Sequence, residues 1–226
     1  MRTGKKIGLW ICVFLGAGVL AGRAADTWET ALGRMPLGTN VTELNETNCV
    51  KIMLGAFQSN SAVKALIFMP GAIDEFYWQH RAKAELTNSN PTLLDAVAAL
   101  TNQTRIRTTF RPPMLLLRTE TDPIEPQAEI KDAATASLIM RRRFVAHGSY
   151  NDRDWDFMLP ILRKTCRVEF RPGMYSKYSF HFYRHSFAAW NLTGWEALEA
   201  VSLAGKTTFT VEEQQVIFAE DGRGLY

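Results

Sequence analysis

The chain has 226 residues, 46% of them apolar and 22% charged, which excludes wholesale disorder and allows either one large domain or two small ones. Its formal charge of +3 comes from the leader: residues 1–24 hold Arg2, Lys5, Lys6 and Arg23 and no acid, and without those four cations the charge is −1. Nothing in that balance favours nucleic acid or an acidic membrane as a partner.

The chain opens with the positive run MRTGKK, an apolar stretch IGLWICVFLGAGVLAG and the small-residue exit GRAAD. This is the pattern of a secretory signal over residues 1–25, with Ala24 or Ala25 the last residue lost; a retained signal anchor is the alternative. The expected location is periplasmic or secreted, with no integral membrane segment after cleavage. Cys49 and Cys166 remain in what is then an oxidising compartment, either as one bridge between the halves of the chain or as two buried thiols.

Residues 45–59, NETNCVKIMLGAFQS, place Val50, Met53, Leu54 and Phe57 at helical spacing, with Asn45 or Thr47 as the cap. A strand, AVKALIFM, runs into Pro70-Gly71, which breaks the chain out of it. The next helix is NPTLLDAVAALTNQT, with Asn90 as cap and Pro91 at the first helical position. RIRTTF and MLLLR across Arg111-Pro112-Pro113 then read as a hairpin. Residues 119–143 are expected to form a linker that turns helix-permissive after its prolines.

The same order returns afterwards. RRRFVAHG supplies a candidate opening strand, and NDRDWDFMLPILRK a helix through Trp155, Met158, Leu159 and Leu162 that Pro160 should kink. CRVEF is a strand running into Pro172-Gly173, and KYSFHFYRHSF alternates like a second one. TGWEALEAVSLAG is a helix with Gly205 as its left-handed stop. TTFTV and QVIFAE form a hairpin across Glu212-Glu213. The landmarks FMPG at 68–71 and FRPG at 170–173, about 100 residues apart, point to a duplication. The predicted class is α+β: two small domains, residues 26–118 and 144–226, each helix, strand, strand, helix, strand, strand.

Ala197, Leu198, Val201, Gly205, Phe209, Val211, Val216 and Ile217, matched in the first half by Leu94, Ala96, Val97, Leu100, Ile106, Phe110, Leu115 and Leu117, carry a resemblance to a known family. The pattern resembles the short N-terminal domain of secretins and TonB-dependent receptors, in tandem over most of residues 45–220. Asn102-Gln103-Thr104 and Pro112-Pro113 depart from it. No barrel or secretin ring follows in the 226 residues, so the resemblance implies a docking module of the cell envelope that binds a partner protein, not a pore or receptor.

Chemistry is thinly represented. His181 and His185 form H-x-x-x-H, but in a strand residues four apart stand about 13 Å from each other and cannot share a metal. Asp152, Asp154 and Asp156 imitate a calcium loop, yet Phe157 stands where the loop needs glycine. Acids at a helix start explain them better. Arg141-Arg142-Arg143 reads as a solvated face, or a seat for an anionic partner. No G-x-S-x-G, Cys/His nucleophile or Gly-rich phosphate loop occurs. No catalytic, cofactor-binding or metal-binding residue is therefore assigned. The crowded aromatics, Tyr175, Tyr178, Phe182 and Tyr183 above all, are candidates for a binding surface. The expectation is an exported, non-catalytic scaffold docking an envelope protein through a sheet edge or that surface. The alternative is a secreted hydrolase or glycan-binding protein with a cleft between its domains. Oligomeric state stays open.

Overall fold

The computed structural model describes residues 27–45, 47–60, 62–69, 83–119, 128–144, 148–153, 155–172 and 185–220. The fold is α+β. Its first half holds α1 (Trp28–Gly33), β1 (Glu43–Leu44), α2 (Cys49–Ala56), β2 (Ala65–Phe68), β3 (Ala84–Glu85), α3 (Leu93–Gln103), β4 (Arg107–Arg111) and β5 (Met114–Arg118). The second holds β6 (Ala128–Ile130), α4 (Ala133–Arg141), β7 (Arg143–Phe144), β8 (Gly148–Arg153), α5 (Trp155–Cys166), β9 (Glu169–Pro172), β10 (His185–Ala189), β11 (Leu192–Thr193), α6 (Gly194–Ala204), β12 (Thr207–Glu212) and β13 (Gln215–Glu220).

α3 and α6 begin alike, with reciprocal capping boxes that satisfy two orphan donors each. Thr92 Oγ1 accepts the Asp95 N–H at 3.3 Å while the Asp95 carboxylate accepts the Thr92 N–H at 2.7 Å. Thr193 and Glu196 repeat this at 3.1 and 2.7 Å. The first N–H of each helix donates to the chain just after the helix two before it, Leu93 to Met35 O beyond α1 and Gly194 to Arg142 O beyond α4, both at 2.8 Å. The cap of α3 is thus Thr92, not Asn90. At α2 the N-cap is Asn48 rather than Asn45 or Thr47; the Asn45 side chain instead accepts the N–H groups of Thr47 and Asn48. Gly205 caps α6 at φ −97, and Lys206 takes the left-handed conformation at φ 50. α5 runs through Pro160 to Cys166. Left-handed Arg167 (φ 56) then turns the chain, so the strand expected over 166–170 forms over 169–172.

Strand pairing follows one order in both halves. β4 pairs antiparallel with β5 and β5 parallel with β2; β12 pairs antiparallel with β13 and β13 parallel with β9. β1 pairs β3 and β11 pairs β7, each antiparallel. The registers coincide: Ala65 lies opposite Met114, the residue after the first turn, and Glu169 opposite Gln215, the residue after the second. Counting from the turns, Leu66 therefore corresponds to Phe170 and Phe68 to Pro172. The sequence landmarks, which set Phe68 against Phe170, are offset by two residues.

The halves do not close separate cores. β10, from the second half, pairs antiparallel with β2 and with β8, giving a five-stranded sheet ordered β4-β5-β2-β10-β8. One face of that sheet, with Leu66, Phe68, Leu115 and Leu117, meets Leu32, Met53, Leu93, Val97 and Leu100 of the first-half helices. The other, with Ala65, Ile67, Met114 and Leu116, joins the core of Ala197, Ala200, Val201, Phe209 and Phe218. α6 lies between this sheet and the four-stranded sheet β6-β12-β13-β9, and Ala197, Leu198, Ala200, Val201, Leu203 and Ala204 are all buried. A helix apolar on every side belongs in such an interior. The expected linker is corrected too: β6 pairs parallel with β12, and Ala136 and Ile139 of α4 sit in the second core, so the second unit begins at Ala128.

Candidate docking edges

An exposed strand edge presents unpaired N–H and C=O groups, and sequences either blunt it or use it. Among the described residues the two larger sheets end on β4 and β8 and on β6 and β9. β9 is four residues long, ends in Pro172, which has no N–H, and has Arg163 within 3.4 Å of Glu169. β6 has three residues, with Lys131 pairing Glu129 at 3.4 Å and Glu212 at 3.2 Å. β4 differs. It runs five residues without proline, with Arg107 and Thr109 exposed and Arg111 partly buried.

The backbone of β4 has a defined outward set. On β12 the carbonyl of Val211 accepts the N–H groups of Lys131 at 2.9 Å and Asp132 at 3.0 Å, so Val211 turns its peptide groups away from β13. Phe110 holds the matching place on β4, because Arg111 pairs Met114 as Glu212 pairs Gln215. Since this alternates along a strand, Thr108 and Phe110 direct their N–H and C=O outward, and Arg107, Thr109 and Arg111 direct theirs to β5. Side chains alternate as well. Thr108 and Phe110 lean toward the first-half helices, where Trp28 stacks on Phe110 at 6.1 Å. Arg107, Thr109 and Arg111 share the opposite face, and Arg107 stands opposite buried Arg118. No acid occurs from Thr104 to Arg118, and the acid of another element near this strand is Glu199, beside Arg111.

The seam between the halves carries the other polar constellation. Lys64 Nζ lies 3.3 Å from Glu196 Oε1, and Trp195 Nε1–H donates to Glu199 Oε1 at 3.1 Å. Burial pushes the Glu199 carboxyl above the usual range, against the attraction of Arg111 and the Trp195 bond; Glu196 adds to the rise. This acid pair was invisible as chemistry in the sequence, although Glu-x-x-Glu on the first turns of an otherwise apolar helix is the signal that could have found it. Both oxygens of Glu196 are committed, one to Lys64 and one to the Thr193 N–H. That arrangement clamps Lys64, just before β2, to the start of α6.

A groove of about 740 Å³ lies between α4 and the end of α5, lined by Asp132, Thr135, Leu138, Arg163 and Arg167 among others. Asp132 accepts from the Thr135 hydroxyl and N–H and the Gln214 N–H, which hold its carboxyl below the usual range. It is the N-cap of α4, and its oxygens are spent on that role. Among the described residues no group of three His, Cys, Asp or Glu side chains could hold a metal.

The sequence-predicted residues fare unevenly. Tyr175, Tyr178, Phe182 and Tyr183 lie outside the described residues, as does His181. His185 begins β10 opposite Arg153, in a strand as expected. Asp156 sits in the first turn of α5. Arg141 donates to the Ser137 carbonyl at 3.2 Å, closing its own helix. The bridge between Cys49 and Cys166 does not form. Both are free, buried thiols in different cores, and burial pushes each up to about 12. Such thiols act as small hydrophobes.

Compared with models of protein families, with curated proteins and with solved structures, the chain gives no match. Among the described residues no helix is long and apolar enough to cross a membrane.

Proposed function

We propose that the chain is an exported, non-catalytic docking protein of the cell envelope, built from two copies of one module that resembles the short N-terminal domain of secretins and TonB-dependent receptors. It engages a partner protein by accepting an extended strand on β4. The observation that supports this reading is the make-up of β4: β6 and β9 are short and guarded by ion pairs or proline, β8 is the remaining edge, six residues long, and β4 combines five residues, outward peptide groups at Thr108 and Phe110, and an aromatic platform. The shared pairing order of the two halves supports the duplication. The carboxylates that stand out are engaged in caps and in the seam between the halves, which favours docking over hydrolysis.

The test is capture from envelope extract by the mature chain, with wild type beside Thr108→Pro. Proline at 108 deletes an outward N–H and leaves the ladder to β5 intact, as edge strands tolerate. Partner capture by wild type and its loss in Thr108→Pro, with an unchanged circular dichroism spectrum, is the expected result. Equal capture by both proteins would refute the β4 site.

A further inference from the structure

We infer that the strand accepted by β4 runs parallel to it and carries an acidic side chain flanked by apolar ones, the acid aligned with Thr109. This rests on the docking reading above and names its partner's chemistry. The chain contains its own template. On the equivalent edge of β12, the segment Ala128-Glu129-Ile130 lies parallel, with Ala128 opposite Phe209, Glu129 opposite Thr210 and Ile130 opposite Val211. There the Thr210 hydroxyl and the Glu129 carboxylate stand 3.4 Å apart, and Lys131 pairs the same carboxylate. The turn register makes Thr109 the counterpart of Thr210, Thr108 that of Phe209 and Phe110 that of Val211.

The occupied edge and the open one differ in charge. β12 carries no cation and ends in Glu212, and its added strand brings Lys131 with it. β4 carries Arg107 and Arg111 on the face of Thr109, follows exposed Arg105, and stands beside Arg118. A carboxylate opposite Thr109 would lie beside exposed Arg107, meeting on the receptor a cation that β6 must supply for itself, while Arg111 already faces Glu199. Cross-strand neighbours of opposite sign stabilise a sheet, and a lysine in that place would face like charge. The flanking positions, opposite Thr108 and Phe110, lean toward Trp28 and the first-half helices and suit apolar side chains, as Ala128 does where it packs on the second core.

The probe is a fluorescein-labelled peptide reproducing residues 126–130, Pro-Gln-Ala-Glu-Ile, without the Lys131 that would face Arg111, beside the same peptide with its Glu replaced by Lys, read by fluorescence anisotropy on the mature chain at low salt. The β12 edge cannot take it, because β6 is tethered there at high effective concentration. Wild type should bind the Glu peptide at least tenfold more tightly than the Lys peptide. Arg107→Glu should remove or reverse that preference, and Thr108→Pro should abolish binding of both. Equal affinity for the two peptides, a preference untouched by Arg107→Glu, or no binding of either overturns the inference. If the peptides fail while Thr108→Pro still abolishes partner capture, the acidic-strand inference falls and the docking reading stands. If the Glu peptide is selected while capture ignores Thr108→Pro, the docking reading is the one that falls.

Discussion

The two main sheets place different chemistry at matched positions. Counted from their turns, Ala65, Ile67, Met114 and Leu116 on the back of the five-stranded sheet correspond to Glu169, Arg171, Gln215 and Ile217 on the back of the four-stranded one. The first set is buried against α6 and its surroundings, and the second leaves Glu169 and Arg171 exposed. The helices differ in the same sense. Ala98, Asn102 and Gln103 of α3 are exposed, while their counterparts Glu199, Leu203 and Ala204 of α6 are partly or fully buried. One unit is covered on both faces because the other stacks its helix onto it. Among the described residues nothing covers the back of the last sheet in the stack, and Glu169 and Arg171 are exposed there. Fold order is thus common to both halves, and burial is set by place in the stack.

The largest effect should come from exchanging residues between matched places. Ile67→Arg buries an unpaired charge between two layers and is expected to cost more than about 4 kcal/mol, leaving no cooperative transition in urea. Arg171→Ile, its mirror, should change stability by less than about 0.5 kcal/mol. Equal losses would show that the two backs are not differently buried.

A smaller loss is expected where α6 enters the seam. A Cβ on Gly194 would stand 2.6 Å from the Ile139 carbonyl and 3.3 Å from Arg142 Cβ and Cys166 Sγ, whereas the matched first helical residue of α3 is Leu93. Gly194→Ala should therefore destabilise by about 1–3 kcal/mol. Leu93→Ala should also destabilise, by leaving a cavity rather than by crowding. High-pressure unfolding separates the two, because only the cavity variant enlarges the volume lost on unfolding.

The smallest effect concerns Glu199, whose counterpart is exposed Ala98. Its folded-state carboxyl is raised chiefly by burial, with Arg111 and Trp195 opposing and Glu196 adding. The native state therefore holds this proton more tightly than the unfolded chain does, and stability declines as pH rises from the ordinary carboxylate range through the raised one. Glu199→Gln removes that decline. Its melting temperature should exceed wild type's at pH 7 and match it near pH 3.5; a constant difference across that range would show that ionisation is not the cause.

Much of this was legible in the residues. VEEQ between TTFT and QVIF gave the second hairpin, and the two runs of alternating apolar residues around it gave a sheet with one wet face. ALIF and MLLL, read above only as strands, are apolar without alternation, a pattern that fits burial on both faces, but a sequence does not say what covers the second face. The covering helix belongs to the other half, nearly a hundred residues away. For the same reason the boundary at 144 was too late: β6 and α4 look like connector until their partners β12 and α6 are in place. The offset between FMPG and FRPG arose because both motifs end strands, while the register is fixed by the later turns. The β4 segment was readable as a basic strand, but its place at the edge of the sheet among the described residues is a matter of strand order and became visible only in three dimensions.

β10 is contributed to a sheet begun more than a hundred residues earlier. Its insertion makes the covalent path between the halves dispensable for holding them together: the ladder from β2 to β10 and the shared aliphatic layer would keep two separate polypeptides associated. Gene fission between Arg118 and Ala128 is therefore a tolerable event for this architecture, whereas a cut between β9 and β10 would strand the sheet-forming piece away from the helix that precedes it.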